Sequence, residues 1–279
     1  MVVLVTGASG QLGQALQGIA PVYNGVEFYF ASSAEADITS TESLEAIFTK
    51  VKPDCCINAA AYTAVDKAES ELDSAYKVNT EGAKNIAEAC NRHKAMLIHI
   101  STDFVFDGNK TTPYTEEDET NPQGVYGKTK REGEIEIQKV LKEHYIIRTS
   151  WLYSQYGHNF MKTMLRLAQD RTTLSVVNDQ TGTPTHATDL AHAVMAIITG
   201  NKKEYGIYHY SNEGATTWYG FAKRIFELNN VTIDLKPIPT KDYPTPAKRP
   251  GYSVLDKTKI KRVFGIVINN WEVSIKQGD

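Results

Sequence analysis

The sequence predicts an α/β protein in which a doubly wound parallel sheet is followed by a smaller lobe. In the first half of the 279 residues, short runs that are apolar throughout alternate with segments of helical periodicity. This alternation is typical of parallel strands covered by helices on both faces. A glycine-rich turn also joins the first apolar run to the first helical segment. The pattern loosens near residue 150, so we expect one domain at 1–150 and, at 151–279, mainly a second lobe with some segments returning to the first.

The elements of the first domain can be assigned in order along the chain. Five strands and four helices alternate, and the strands carry the most apolar runs. The second half contains three helical patterns, two short strand patterns and a proline-rich stretch that must be loop or extended chain. The predicted strands are 2–7, 26–31, 53–61, 95–101, 144–150, 174–177 and 207–210; the helices are 11–20, 41–51, 74–93, 126–141, 159–169, 188–199 and 217–228; the proline-rich stretch is 235–253.

Composition and charge exclude several classes of protein. Hydrophobic residues make up 41% of the chain and the net charge is -3, without a long basic run, which argues against a nucleic-acid surface. No apolar stretch reaches the ~20 residues of a membrane span, and no signal peptide is recognisable. The three cysteines, Cys55, Cys56 and Cys90, suit a reducing compartment. We therefore expect a cytoplasmic protein without a membrane or nucleic-acid partner. The histidine spacing predicts no metal site.

The glycine-rich turn reads "TGASGQLG" and places Gly7, Gly10 and Gly13 in a G-x-x-G-x-x-G pattern. Gly7 permits a tight turn, Gly10 lets the backbone approach a pyrophosphate, and Gly13 lets the helix pack closely on the sheet. The free N–H groups of the helix N-terminus then favour phosphate. Strand, glycines and helix together predict a Rossmann-like dinucleotide site. The alternative is a glycine-rich turn without a ligand.

The end of the second strand leaves the choice between NADH and NADPH open. An NAD site often carries an acid at this strand's tip. Here the tip is Ser32, and the acids Glu35 and Asp37 come later. Nothing at the tip is expected to repel a 2′-phosphate, no arginine stands there to bind one, and the Ser32 and Ser33 hydroxyls could donate to it. Asp37 could accept a bond from the adenine amine or serve as a helix cap.

A second set of residues points to carbonyl chemistry. Tyr126 and Lys130 are four residues apart in a predicted helix, so they share one face. An ammonium at Lys130 would lower the pKa of the Tyr126 phenol and suit it to proton transfer. Because the carboxyl ends of parallel strands meet at one edge, Thr102 should lie beside this pair. A hydroxyl, a phenol and an ammonium next to a hydride source suit the reduction of a ketone. The alternatives are a core tyrosine, a solvated lysine and a strand-end cap.

Beyond these features, the sequence resembles the extended short-chain dehydrogenase/reductases, and within them the dTDP-4-dehydrorhamnose reductases. The resemblance is carried by "VTGASGQLG", "INAAAYTAVDKAE", "VNTEGAKNIAEAC", "ISTDFVFDG", "YGKTKREGE", "IIRTSWLY", "VVNDQTGTPT", "RPGYSVLD" and "NNWEVSI", which span essentially the whole chain. It implies NADPH- or NADH-dependent reduction of the C4 keto group of a dTDP-4-dehydro-6-deoxy sugar, the last step of dTDP-L-rhamnose synthesis.

The resemblance also implies roles for individual residues. Thr102, Tyr126 and Lys130 would be catalytic: Tyr126 would protonate the C4 oxygen, and Lys130 would bind the nicotinamide ribose. Arg249 and Trp151 have bland alternatives, a surface arginine and a core aromatic. The implied cofactor-binding residues are Gly7, Gly10, Gln11, Leu12, Gly13, Asp37, Ile38, Ala61, Tyr62, Thr63, Tyr126 and Lys130, and the implied substrate-binding residues are Thr102, Asp103, Trp151, Asn159, Gln180 and Arg249.

One departure from the family concerns its assembly. Some members dimerise through carboxylates that hold magnesium, one of them early in the first helix, where this chain has Ala15. The metal is therefore not expected here, and a homodimer stays an open alternative. Two other functions also stay open: another sugar-nucleotide reductase or epimerase, and a non-catalytic regulatory subunit like that of methionine adenosyltransferase. The intact Thr102, Tyr126 and Lys130 set argues against the regulatory role.

Overall fold

The computed structural model of the chain describes residues 1–200 and 202–278, with the side chains described as far as residue 276. Its main sheet has six parallel strands in the order β10-β5-β4-β3-β1-β2, which confirms the predicted doubly wound α/β fold. The strands are β1 (Val2–Thr6), β2 (Glu27–Ala31), β3 (Cys55–Asn58), β4 (Met96–Thr102), β5 (His144–Thr149), β6 (Leu152–Tyr153), β7 (Thr173–Val177), β8 (Thr181–Gly182), β9 (Thr185–His186), β10 (Gly206–His209), β11 (Thr216–Thr217) and β12 (Asp234–Ile238).

Helices cover both faces of the main sheet, because its strands are apolar on both sides. The helices are α1 (Gln11–Ile19), α2 (Thr41–Val51), α3 (Val65–Ala68), α4 (Leu72–Tyr76), α5 (Gly82–His93), α6 (Val125–Val140), α7 (Phe160–Asp170), α8 (Ala187–Thr199), α9 (Trp218–Leu228), α10 (Thr258–Phe264) and α11 (Trp271–Ser274). One apolar core joins the sheet to α1 and α8. The other joins it to α2, α5 and α6.

The long helix predicted at 74–93 is interrupted by a π-helical segment, Lys77–Glu81. Two contacts explain this position. The Asn79 side chain accepts from Tyr62 N at 2.9 Å and donates to the Thr129 hydroxyl at 3.2 Å. A Cβ on Gly133 of α6 would lie 2.2 Å from the Asn79 carbonyl oxygen. The segment therefore holds α6 in close contact, and only a glycine at 133 allows it.

The second half of the chain builds a smaller lobe and also returns to the main sheet. Three two-stranded sheets pair β6 with β9, β7 with β12, and β8 with β11. Two apolar clusters, built largely from side chains of α7, α9 and α11, form the core of this lobe. By contrast, α8 packs on α1, and β10 extends the main sheet beside β5. Part of the proline-rich stretch is the strand β12, and the short helices α10 and α11 have no counterpart in the sequence prediction.

No helix in 1–200 or 202–278 combines the length and the apolar character that crossing a membrane requires.

A buried ion pair fixes α6 on the main sheet. Glu134 of α6 is fully buried and accepts from Arg148 of β5 through both carboxylate oxygens, at 2.9 and 2.7 Å. The Ser101 hydroxyl of β4 donates to the same carboxylate at 2.5 Å. Because a buried charge costs several kcal/mol unless it is paired and hydrogen-bonded, these groups hold their geometry strictly. The pair therefore sets where α6 lies along β4 and β5.

Removing one partner of this pair should destabilise the protein strongly. Glu134→Ala leaves Arg148 buried without a counter-charge, so we expect the free energy of unfolding to fall by about 3–5 kcal/mol. The measurement is urea denaturation followed by circular dichroism. The control is Glu136→Ala on the same helix, whose partner Lys139 is exposed, and it should change stability by less than about 1 kcal/mol. Equal effects of the two variants would contradict the role assigned to the buried pair.

Candidate active site

A cavity of about 670 Å³ lies at the carboxyl ends of β1, β3, β4 and β5. It extends from the glycine loop at one end to the aromatic residues of the second lobe at the other. Because the parallel strands all point towards this edge, the loops that follow them bring together residues far apart in sequence. The lining residues are Gly10, Gln11, Leu12, Ala59, Ala61, Thr63, Val65, Ile100, Ser101, Thr102, Asp103, Phe104, Tyr126, Lys130, Thr149, Ser150, Trp151, Leu152, Gly157, His158, Phe160, Trp218 and Arg249.

The glycine loop has the close backbone approaches that the sequence predicted. Gly7 has a φ of +70°, and a Cβ there would lie 2.5 Å from the backbone nitrogen of Ala60. A Cβ on Gly13 would lie 2.5 Å from Ala8 Cα, so α1 could not pack as it does. Gly10 is the N-cap residue of α1, and no side chain caps this end of the helix. The first N–H groups of α1 are thus free for an anionic group, as in dinucleotide sites.

The sequence predicts nothing at the tip of β2 that would repel a 2′-phosphate, but the structure places a carboxylate there. Glu35 folds back on this tip: its carboxylate accepts from Ser32 N at 3.0 Å and from the Ser32 hydroxyl at 2.9 Å. The backbone N–H of Ser32 is the main cause of a lowered pKa at Glu35, so the carboxylate is charged. The expectation is wrong because the four-residue turn returns an acid that the linear sequence places beyond the strand.

Asp37 and Ile38 do not line the main cavity. The Asp37 carboxylate accepts from Thr39 N at 2.9 Å and from the Thr39 hydroxyl at 2.8 Å, which makes a local turn. The residue that caps α2 is Ser40, which accepts from Ser43 N at 3.2 Å, so the cap alternative for Asp37 is wrong. Ile38 is buried in the core under α2 and α5. A role for either residue at an adenine base stays a prediction.

Thr102 and Asp103 form the turn at the end of β4. Thr102 Oγ1 donates to Asp103 Oδ1 at 3.1 Å and accepts from Phe104 N at 3.2 Å, so it caps the short 3₁₀ turn while lining the cavity. Asp103 is 2% exposed, and its Oδ2 has no hydrogen-bond partner within the described residues. Burial raises the pKa of Asp103 to about 6, against the hydroxyls of Ser253 and Thr102, which lower it.

Tyr126 is the second residue of α6, and its phenol lies beside the Thr102 hydroxyl. Although part of the side chain is exposed, desolvation of the phenol raises its pKa to about 12, while the hydrogen bond with Thr102 acts in the opposite direction. The expectation that Lys130 would lower this pKa is wrong. Desolvation dominates, and the ring of Phe104 packs edge-on against the tyrosine at 5.6 Å.

Lys130 lies one turn after Tyr126 and is 2% exposed. Its Nζ donates to the carbonyl oxygen of Ile100 at 2.7 Å and lies 3.1 Å from His99 Nε2. Burial lowers the pKa of Lys130 to about 8, although the nearby Glu134 carboxylate favours the charged form. The solvated-lysine alternative is therefore wrong. The sequence did not identify the His99 contact, although a histidine within an otherwise apolar strand was a signal for it.

Trp151 lies at the opposite end of the cavity in an unusual backbone conformation. Its φ is +46°, and its ring stacks on Trp218 with the centroids 3.6 Å apart. A Cβ on Gly182 would lie 2.6 Å from the Trp151 ring, so the glycine makes room for it. Trp218 and Phe160 were not identified from the sequence. Both come from the second lobe, and no local motif relates them to Trp151.

Four of the predicted site residues form hydrogen bonds with other protein groups. Three of them lie outside the cavity, and the fourth lines it. Tyr62 donates to Glu71 at 2.6 Å. Asn159 caps α7 and donates to Gln11 Oε1 at 3.0 Å, and Gln180 donates to Thr240 at 3.0 Å. None of these three is among the residues that line the cavity in the described chain. Arg249 does line it, and both of its terminal nitrogens donate to Asp66, at 2.9 and 2.7 Å.

No group of three or more His, Cys, Asp or Glu side chains in 1–200 and 202–276 is arranged to hold a metal ion. Cys55, Cys56 and Cys90 are buried free thiols, and burial raises the pKa of the Cys55 and Cys56 thiols.

Comparison with known proteins gives matches along the whole chain. The family described as the RmlD substrate binding domain matches residues 1–278. A dTDP-4-dehydrorhamnose reductase of Aggregatibacter actinomycetemcomitans is 45% identical over 284 residues, which cover 98% of this chain and 96% of the relative. The crystal structure of a dTDP-4-dehydrorhamnose reductase from Clostridium acetobutylicum has a TM-score of 0.95 and 43% identity, over 100% and 98% of the two chains. That of Bacillus anthracis, in complex with NADP, has a TM-score of 0.94 and 38% identity, over 99% and 98%.

The buried carboxyl of Asp103 should make stability depend on pH. Its pKa in the folded protein lies above the unfolded value of 3.8, so the folded state resists ionisation and stability falls as the pH rises from about 4 to 6. We expect Asp103→Asn to increase the free energy of unfolding at pH 7 by up to about 3 kcal/mol, and by much less at pH 4. Urea denaturation at both pH values measures this difference.

The exposed Asp73→Asn is the matched control and should leave the pH dependence unchanged. An Asp103→Asn protein that is less stable than the wild type at pH 7 would contradict the assignment of an unfavourable buried charge.

Proposed function

The chain belongs to the family of the RmlD substrate binding domain, and we propose that it reduces the C4 keto group of dTDP-4-dehydro-L-rhamnose to give dTDP-L-rhamnose. NAD(P)H is the reductant, and the reaction is the last step of dTDP-rhamnose biosynthesis. The chain is thus an oxidoreductase of nucleotide-sugar metabolism, as the resemblance in its motifs implied. A cytoplasmic location, and assembly as a homodimer, are part of this proposal.

The observation that carries the proposal is the meeting of Thr102, Tyr126 and Lys130 at one cavity with the glycine loop. A phenol, a hydroxyl and an amine are the groups that the reduction of a ketone needs beside a hydride donor. They come from β4 and α6, whose relative position is fixed by the buried Glu134–Arg148 pair. A regulatory protein would not require this arrangement of titratable groups.

The residues of the glycine loop fit a dinucleotide. The absence of a Cβ at Gly7 and Gly13 brings the loop against β3 and seats α1 close to the sheet, and the uncapped N-terminus of α1 suits a pyrophosphate. Gly10, Gln11 and Leu12 would hold that group, Ala61 and Thr63 would face the ribose region, and Lys130 would contact the nicotinamide ribose. When bound, NAD(P)H supplies the hydride that reduces C4.

The role of Tyr126 is to hold and deliver a proton. With a pKa of about 12, the phenol stays protonated at neutral pH and can donate to the C4 oxygen as negative charge develops on it. The Thr102 hydroxyl beside the phenol favours the phenolate that remains. Asp103, in the same turn, raises the pKa of the phenol, so it opposes early loss of the proton.

The far end of the cavity supports a nucleotide-sugar substrate. The stacked rings of Trp151 and Trp218 offer a flat apolar surface, and Arg249 offers a guanidinium that matches a diphosphate. Asp66 holds Arg249 in place through two hydrogen bonds before a substrate arrives. Such preorganisation lowers the entropy cost of binding.

The direct test is turnover of dTDP-4-dehydro-6-deoxy-L-lyxo-hexose, generated in situ, followed as the loss of 340 nm absorbance with NADH and NADPH separately. NMR then identifies the sugar. Production of dTDP-L-rhamnose supports the proposal. Production of the C4 epimer would overturn the assigned product while retaining ketone reduction, and no oxidation in the presence of bound cofactor would overturn the reductase assignment.

Tyr126→Phe should abolish most of the activity. It removes only the proton donor, so we expect kcat to fall by ~100-fold or more while the cofactor still binds. Steady-state kinetics and cofactor fluorescence measure the two quantities. Tyr76→Phe, at an exposed tyrosine, is the matched control and should retain wild-type kinetics. If the Tyr126→Phe variant retained near-normal turnover, the role proposed for the phenol would be wrong.

Glu35→Gln should shift cofactor preference towards NADPH. The charged carboxylate at Ser32 can accept a bond from a ribose 2′-hydroxyl and repels a 2′-phosphate, so the wild type should favour NADH. Loss of the charge should raise the ratio of kcat/KM for NADPH over NADH by roughly tenfold, or about 1.4 kcal/mol. Glu42→Gln, at an exposed position, controls for charge alone. An unchanged ratio would exclude Glu35 as a determinant of preference.

A further inference from the structure

A chain of buried polar side chains crosses the main sheet beneath the cavity. It runs from Thr6 of β1 through Asn58 of β3 and His99 of β4 to Lys130 of α6, and each of these four residues is at most 2% exposed. The links are Thr6 Oγ1 to Asn58 Oδ1 at 2.8 Å, Asn58 Nδ2 to His99 Nδ1 at 3.0 Å, and His99 Nε2 to Lys130 Nζ at 3.1 Å. Polar groups this deeply buried must each match a donor with an acceptor.

The orientation of the Asn58 amide is fixed by the backbone. Asn58 Oδ1 lies 3.2 Å from Ala60 N, which carries a hydrogen and can only donate. The Thr6 hydroxyl donates to the same oxygen. Rotating the amide by half a turn would place its NH₂ group against the Ala60 N–H and lose that bond. The Asn58 NH₂ group therefore faces His99 and donates to Nδ1.

This donation decides which ring nitrogen of His99 holds the proton. A neutral imidazole has one N–H and one bare nitrogen, and Nδ1 must be the bare one because it accepts from Asn58. The proton is then on Nε2 and points at Lys130 Nζ. An ammonium has no lone pair and cannot accept it, whereas a neutral amine can. The amine keeps one N–H for the carbonyl oxygen of Ile100, at 2.7 Å.

We propose that Asn58 and His99 are positioning residues that favour the neutral amine of Lys130 over its ammonium form in the cofactor-free protein. Asn58 sets the tautomer of His99, and His99 donates to the amine. If Lys130 were protonated, its ammonium and the Nε2–H group of His99 would both be donors 3.1 Å apart, with no acceptor between them. The conflict is removed only if the Asn58 amide turns and the His99 proton moves to Nδ1.

The charges around the pair agree with this assignment in direction. Burial lowers the pKa of His99 well below its usual value, so the ring is neutral. Burial lowers the pKa of Lys130 to about 8, while the Glu134 carboxylate on the next turn of α6 raises it. Tyr126 and Asp103 face the cavity side of the same site. The hydrogen-bond chain thus opposes Glu134.

The arrangement also limits how protons move during the reaction, an inference that rests on the proposed function. A proton cannot pass beyond His99 towards β3, because Nδ1 is occupied by an amide that only donates there. The proton that replaces the one lost by Tyr126 must therefore enter from the cavity and not through the polar chain. The polar chain holds the lysine and does not carry protons across the sheet.

The test is the tautomer of His99, read by ¹⁵N NMR of the full-length ¹⁵N-labelled protein without cofactor or substrate. Long-range ¹H–¹⁵N spectra distinguish a protonated from a bare ring nitrogen, and correlation with the residue's own Cβ assigns His99 without a variant. At pH 9 we expect a protonated Nε2 and a bare Nδ1. A protonated Nδ1 would overturn the proposal. This readout is independent of any activity, so it can fail while the proposed reaction stands.

Asn58→Asp provides a matched reversal of the chain. The carboxylate that this variant introduces keeps an oxygen for Ala60 N–H and Thr6 but presents a second acceptor to His99, so the His99 proton should move to Nδ1 and Nε2 should accept from the Lys130 ammonium. The His99 signals, which respond to the charge of Lys130, should change near pH 8 in the wild type and at least ~1 pH unit higher in the variant.

The surface variant Asn91→Asp adds the same charge away from the site and should behave as the wild type. If Asn58→Asp retains a protonated Nε2, or if its titration is unchanged, Asn58 does not set the tautomer and the proposal is wrong. The pH profile of kcat in the same variants then shows whether the charge of Lys130 matters to turnover, separately from its structural assignment.

Discussion

The buried carboxylate of Glu134 is the constraint on which the rest of the site depends. It joins Ser101 of β4, Arg148 of β5 and α6 in one cluster, and each partner is held by at least one short hydrogen bond. An unpaired charge at this depth would cost more than most single packing contacts contribute, so the cluster tolerates little movement. This cluster therefore also limits the movement of Tyr126 and Lys130 on α6 and of Thr102 at the end of β4.

Three features around the same cavity are unfavourable for the stability of the folded chain. Asp103 keeps an acid in a desolvated turn, Trp151 has a left-handed backbone, and the N-terminus of α1 is left without a side-chain cap. Each feature is unfavourable in the folded chain by itself. All three lie around one cavity, whereas both carboxylate oxygens of the buried Glu134 accept hydrogen bonds from other side chains. The fold thus concentrates its unfavourable features where ligands can compensate for them.

The sequence predicted the parts of the molecule that follow from local patterns. The apolar runs located every strand of the main sheet. The glycines located one end of the cavity, and the Tyr126–Lys130 spacing located two of its polar residues. Contacts that depend on a turn or on packing between distant segments were not predictable: Glu35 returns to β2 through a four-residue turn, and Trp218 reaches Trp151 from another helix. The pKa of Tyr126 was expected in the wrong direction because burial, which spacing does not reveal, raises it, and the nearby Asp103 carboxylate raises it further.

The edge strand β10 has a consequence for how the two halves of the chain are joined. It adds to β5 after the chain has already passed through the second lobe, and α8 covers α1 on the way. The first 150 residues alone would therefore make β5, a strand buried along its whole length, the edge of the sheet, and would leave one face of α1 without its cover. Both features promote aggregation. We therefore do not expect residues 1–150 to fold as an independent module, and gene fusions or fragment exchanges in this fold should be made at the ends of the chain and not near residue 150.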